Sequence, residues 1–268
     1  MMKQIAKVMN REILRVISAS RRTDLVGCFP EVLVERLKEY PPQDVHSIVV
    51  WTKNPYNMLI DGELRKVLKK YQQIFVHLTI TGMGGGEFEP MIPHWEKMVR
   101  MIGPLVDFVG NPSRISWRFD PIIQVEKKGK VYSNYGLFPA LVEAIAPLGI
   151  RSCRVSWVSP YKKVVTRLAQ RGWHLISQVQ YERNAQADHL VEVAQRNGMH
   201  IHFCSMEGFP ISSCIDGEFL SQLHPAGLIC STEKAKGQRK LCGCTHSVEI
   251  GWYSLRCKHG CLYCYAYS

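Results

Sequence analysis

The chain lacks any run of about 18 apolar residues, so nothing in it reads as a membrane-spanning helix. The stretch from Met1 to Arg15 carries Lys3, Lys7, Arg11 and Arg15 but no apolar core, so a secretory signal is not expected. No G-x-G-x-x-G follows the first strand-like segment, which argues against a dinucleotide-binding sheet. There is no low-complexity linker and no block of five or six like charges. Acid is the scarcer sign. With 23 Asp+Glu against 34 Lys+Arg, the formal net charge is +11, which suits an anionic substrate, a nucleotide-like molecule or nucleic acid. Because the basic residues are spread along the chain, an ordinary solvated surface accounts for them equally well.

What the chain does have is cysteine. Ten of them without a secretion signal point to a reducing cytoplasm and to metal chemistry rather than disulfides. Up to Cys204 the chain alternates strand-like and helix-like segments. The strands are Ile13–Ser20, Ser47–Thr52, Ile74–Thr81, Arg114–Phe119, Ser152–Val158 and Met199–Cys204. The helices between them carry apolar stripes such as Leu64, Val67, Leu68 and Tyr71. Most strands are apolar on both faces, as in a parallel sheet covered on both sides. Alternation of this kind predicts parallel strands with right-handed crossovers. The expected fold is α/β, a partial (β/α)6 TIM-like barrel over residues 1–204, with an open doubly wound sheet as the alternative. Residues 205–268 lose the rhythm and become rich in Gly, Ser and Cys, so they are expected to form a cysteine-rich metal-binding segment over the barrel mouth.

The tail reads Cys257-Lys-His-Gly-Cys261-Leu-Tyr-Cys264, a C-x3-C-x2-C spacing. Three thiolates on one short loop suit an iron–sulfur cube with one iron left open; a zinc site is the other reading. Cys204, Cys214, Cys242 and Cys244 supply the ligand count of a second Fe–S cluster or a zinc ion, whereas Cys28, Cys153 and Cys230 read as ordinary thiols. In barrels the active site lies at the carboxyl ends of the strands. There the sequence places Arg21, Arg22 and Asp24, then Lys53, then Arg118 and Asp120, as candidate catalytic or substrate-binding groups. The Arg21-Arg22-x-Asp24 turn suits a carboxylate or phosphate, or an internal ion pair. The run Gly84-Gly85-Gly86-Glu87 either lets backbone approach a ligand or is a flexible loop.

The segments Ile17–Asp24, Val50–Pro55, Arg118–Pro121, Cys214–Asp216, Cys242–Cys244, Ile250–Tyr253 and Cys257–Ala266 together resemble the bacterial family DUF1848 over nearly the whole chain. The tail resembles the motif of radical S-adenosylmethionine enzymes, and Arg118-Phe-Asp-Pro121 resembles their spore photoproduct lyase branch. That resemblance implies a [4Fe–4S] cluster on Cys257, Cys261 and Cys264, with S-adenosylmethionine on the open iron and near Gly85, Gly86 and Glu87. It also implies a reducing partner such as flavodoxin or ferredoxin, and chemistry through a 5′-deoxyadenosyl radical. In those enzymes the cysteine loop follows the first strand, whereas here it closes the chain. The rival expectation is a metal-stabilised nucleic-acid-binding protein, with Trp252, Tyr253, Tyr263 and Tyr265 stacking on bases beside Arg256 and Lys258.

Overall fold

The computed structural model describes residues 14–266; Ile13 and the basic N-terminal stretch before it lie outside the described residues. Ten strands are β1 (Arg15–Ala19), β2 (Val45–Thr52), β3 (Ile74–Thr79), β4 (Ile115–Ile122), β5 (Gln124–Lys127), β6 (Lys130–Ser133), β7 (Ser152–Trp157), β8 (His174–Leu175), β9 (His200–Phe203) and β10 (Val248–Glu249). The fold is mixed α/β, built on a seven-stranded sheet in the order β10-β1-β2-β3-β4-β7-β9, every neighbour parallel. All six expected strands are present, within a few residues of their predicted ends.

The expectation holds at the level of a mixed α/β fold on a parallel sheet; the sheet has β10 and β9 at its two edges, and a closed barrel is not shown among the described residues. The doubly wound alternative is not met, because the order from β1 to β9 follows the chain with no reversal. Different layers cover the two faces. Alternate residues of one face, including Ile17, Ala19, Ile48, Val50, Trp117 and Val155, pack against the helices Pro30–Leu37, Glu63–Leu68, Ile102–Val109, Phe138–Ile145 and Gln180–Arg196. The other face offers Val16, Val49, Trp51 and Phe75, and it is filled by Cys214, Ile215, Leu220, Cys230, Cys242 and Cys244 from the cysteine-rich segment. That segment therefore lies on the sheet face and contributes β10 to its edge.

Local sequence explains the elements. Pro30 opens its helix at a position where the missing N–H costs nothing, and Glu31 complements the dipole. Gly172 and Gly198 follow their helices at φ +76 and +68, the left-handed region that glycine tolerates. A second, antiparallel sheet, β6-β5-β8, sits beside the helix Lys162–Ala169. Together with Met83, Phe88 and Leu262 it forms a separate apolar cluster that supports the tail loop.

Candidate metal centre

Because every strand of the large sheet is parallel, the residues following β1, β2, β3, β4, β9 and β10 emerge along one edge. Asp24, just beyond β1, organises this edge. It caps the short helix Leu25–Cys28 by accepting from the Gly27 N–H at 2.7 Å. Its other oxygen accepts from the Thr52 hydroxyl at 3.0 Å and the Lys53 N–H at 2.8 Å, and lies 2.7 Å from His259 Nε2. Burial pulls the His259 pKa down, but the Asp24 hydrogen bond and charge outweigh it and the pKa ends raised. Gly27 is needed here, because a Cβ would come within 2.9 Å of Asp24 Oδ2 and 3.1 Å of His259 Nε2.

At the far end of that helix, Cys28 Sγ lies 3.6 Å from Cys257 Sγ. The ligand atoms of Cys28, Cys257 and His259 all fall within 4.8 Å of one another. The hydrogen bond from Cys28 lowers the Cys257 thiol to about 6, with the His259 charge assisting, while Cys28 is pushed up because it keeps the proton. Two sulfurs and an imidazole that is itself held by a carboxylate make a donor set with a carboxylate partner of the kind metal-binding histidines have. The residues present fit a thiophilic metal.

Cys261 and Cys264 stand on the same loop but outside that group of three. Cys261 is buried, which drives its thiol up to about 12 against the pull of the Lys53 ammonium. Cys257 and Cys264 lie near enough to push the Cys261 thiol up further. The loop is anchored by Arg167, which donates to the Leu262 and Cys264 carbonyls at 3.0 Å each, and by Leu262 N–H to Phe88 O at 3.1 Å.

The family described as "Domain of unknown function (DUF1848)" matches residues 39–266. The chain belongs to this family. None of the curated proteins matches the chain. Among solved structures, the crystal structure of a D-hydantoinase is similar at 11% identity and a TM-score of 0.33, over 81% of this chain; the chain spans 45% of that protein.

The other sequence candidates of this DUF1848 protein fall in three places. Lys53 is the first. Its ammonium donates to Glu89 Oε1 at 2.8 Å and to the Tyr263 hydroxyl at 2.9 Å, and Thr81 donates to the same carboxylate at 2.7 Å. Tyr263 also donates to Glu89. Burial opposes both charges, yet their mutual attraction raises Lys53 and lowers Glu89. Gly85, Gly86 and Glu87, expected at a cofactor, lie exposed on a turn, where Glu87 stands 3.7 Å from Lys127. Glu89, two residues on, is the buried acid.

Arg118 and Asp120 are the second place. Arg118 pairs with Asp120, which also accepts from Ser156, and Arg118 donates to Cys214 Sγ at 3.2 Å. Arg118 thus reaches the face holding Cys204, Cys214, Cys242 and Cys244. Third, Arg21 reaches the tail, 3.5 Å from Glu249 and donating to Gln238 at 3.2 Å. Arg22 is exposed and lies 5.0 Å over the Tyr253 ring, and Arg36 lies 5.8 Å from the Trp252 ring, so two of the exposed aromatics sit beside guanidinium groups. Sequence reading missed Cys28, His259 and Glu89. The only local signals were the Asp24-x-x-Gly27-Cys28 turn and the histidine inside the C-x3-C motif.

Proposed function

We propose that this protein is an iron–sulfur enzyme of the radical S-adenosylmethionine type, with Cys257, Cys261 and Cys264 holding a [4Fe–4S] cluster. The observation that carries the reading is the position of β10. Val248 and Glu249 pair in parallel with Ile17 and Ser18, so the cysteine loop leaves the carboxyl end of an edge strand beside β1. The motif closes the chain in sequence but follows an edge strand in space, which is where the resemblance requires it. A cluster so held supplies a single electron to the sulfonium of S-adenosylmethionine when both are bound.

The chain's own groups have separable tasks in this reading. Asp24 orients His259 beside Cys257 and so sets the position of the first ligand. The Lys53–Glu89 pair, both side chains largely buried at 17% and 2% exposure, keeps one cation and one anion under the loop and ties Tyr263 between Cys261 and Cys264 in place. The cluster of Met83, Phe88 and Leu262 keeps water from the loop's underside. The net charge of +11 supports an anionic, small-molecule or nucleotide-like substrate. The test is a variant with Cys257, Cys261 and Cys264 all changed to Ser. It should make no 5′-deoxyadenosine under reducing conditions, and undiminished product would sink the assignment.

A second reading has its own observation. Cys28, Cys257 and His259 already converge, and three protein ligands plus an open position is the count of a catalytic zinc site. Cys28→Ser separates the two. It leaves iron unchanged if the tail triad is the site, and it removes zinc if the converged group is.

A further inference from the structure

The sheet face covered by the cysteine-rich segment carries charge that the proposed function does not use. Arg154, on β7, is only 6% exposed. Its Nη1 donates to the Ser116 hydroxyl at 2.6 Å and the Ser152 hydroxyl at 3.1 Å, and its Nη2 to the Ser213 carbonyl at 2.5 Å. All three acceptors are neutral, and among the described residues no carboxylate pairs with it. Its Nε finds no partner at all. Arg118, 9% exposed, is paired with Asp120 but turns its other nitrogen onto Cys214 Sγ at 3.2 Å. Buried charge is normally paired or sits beside a metal centre. Here a buried guanidinium lies within one residue of a thiol and has no anion.

The thiols supply one. The segments 212–215 and 242–245 run side by side, joined by Gly243 N–H to Ser212 O at 3.1 Å and Thr245 N–H to Ile215 O at 2.9 Å. They bring Cys214 against Cys242 and Cys244, while Cys204 arrives from the end of β9 with its sulfur 3.8 Å from that of Cys214. Cys214, Cys242 and Cys244 share one buried cluster on the sheet face, with Cys204 packed against it. The N–H groups of Cys214 and Ile215 both point at Cys244 Sγ, at 3.2 and 3.4 Å. Gly243 is the residue that lets the two cysteines flank the turn, since a Cβ would meet Ser213 Oγ at 2.7 Å and Ile211 Cγ2 at 2.9 Å.

We propose that Cys204, Cys214, Cys242 and Cys244 bind a single zinc ion as a closed tetrathiolate. The Cys204–Cys214 separation favours zinc over a second cluster, and binding would draw Cys242 and Cys244 in to the same spacing. A Zn–S distance of about 2.3 Å in a tetrahedron puts two sulfurs about 3.8 Å apart. The Cys204–Cys214 pair already has that separation. Thiolates of an iron–sulfur cube each take a different iron and stand farther apart. Binding releases four thiol protons and leaves a centre of charge −2, and Arg154 and Arg118 are the cations placed to offset it. The ion pins residues 205–245 onto the sheet in place of a hydrophobic core. Through Cys214 it fixes Arg118, and through Arg118 it fixes Asp120.

The test uses the full chain carrying Ser at Cys257, Cys261 and Cys264, so that the tail site contributes no metal. One zinc per chain is expected by elemental analysis. Loading the apoprotein with cobalt(II) should give the intense charge-transfer and ligand-field bands of a tetrahedral tetrathiolate. Adding Cys242→Ser to this background should shift those bands to a three-sulfur pattern and speed zinc loss to a chromogenic chelator at least tenfold. Iron with sulfide at these four cysteines, a cobalt spectrum lacking four sulfurs, or zinc retention unchanged by Cys242→Ser would each overturn the proposal.

Discussion

Replacing Glu89 by Gln tests the logic of the site more sharply than any single cysteine change. The Glu89 side chain is 2% exposed and accepts from Lys53, Thr81 and Tyr263. The amide keeps the shape and removes the charge, which leaves the Lys53 ammonium, 17% exposed, without an anion. Breaking one side of a buried pair costs about 3–5 kcal/mol, and the residual exposure of Lys53 puts the expectation near the lower end, about 3 kcal/mol. Replacing both partners by apolar residues, Lys53→Met with Glu89→Leu, should recover at least about 1–2 kcal/mol of that loss, because the pair's desolvation cost vanishes with it. The assay is urea unfolding of Glu89→Gln beside a double-mutant cycle of the wild type, Lys53→Met, Glu89→Leu and the double variant. The pH arm has a definite sign. The Glu89 pKa is lowered in the folded protein, so its contribution is present above the unfolded value of about 4.3 and is lost as pH falls through the folded value. The wild type should therefore lose stability more steeply than the Gln variant at acid pH. A cost under about 1 kcal/mol for Glu89→Gln, or single-variant costs that simply add in the double, would refute the coupled network.

Three further outcomes follow from the same contacts. Asp24→Ala removes an acceptor serving Gly27, Thr52, Lys53 and His259; about 3 kcal/mol of stability should be lost in denaturant melts, with metal content of the tail falling in parallel. Gly251→Ala drives a Cβ to 2.0 Å from Ser20 Oγ, between β1 and the start of the tail, so it should cost about 1–3 kcal/mol by the same melts and loosen the tail to limited proteolysis. Arg154→Met removes the unpaired buried cation; zinc per chain measured after dialysis against chelator should drop, whereas tail iron measured in the same sample should not.

The strands of the large sheet were legible because burial on both faces leaves near-continuous apolar runs: Val45–Thr52 and Ile74–Thr79 are buried at every position. Their polar ends were legible too, since Asp24, Lys53 and Asp120 stand just past or near the ends of their strands. What escaped is what only long-range pairing defines. β10 is two residues long and carries no period of its own; its register against Ile17 and Ser18 makes it a strand. The β5–β6 hairpin turns at Lys128-Gly129, with φ +52 and +77, between strands that are short and charged rather than alternating. Cys28 looked ordinary because its partner, Cys257, is 229 residues away. Glu87 and Glu89 share one glycine-rich turn, and a shift of two residues separates an exposed acid from a buried one. Nothing local in residues 205–245 announces that they will cover the second face of the sheet.

The central claim is that the tail cysteines hold an iron–sulfur cluster with an open iron. Its most direct test is anaerobic purification with iron, sulfide and zinc analysis, followed by electron paramagnetic resonance of the reduced protein with and without S-adenosylmethionine. The account predicts about four irons per chain together with zinc, and a reduced-cluster spectrum that changes when S-adenosylmethionine is added. Zinc without iron or sulfide, or a cluster spectrum indifferent to S-adenosylmethionine, would contradict it.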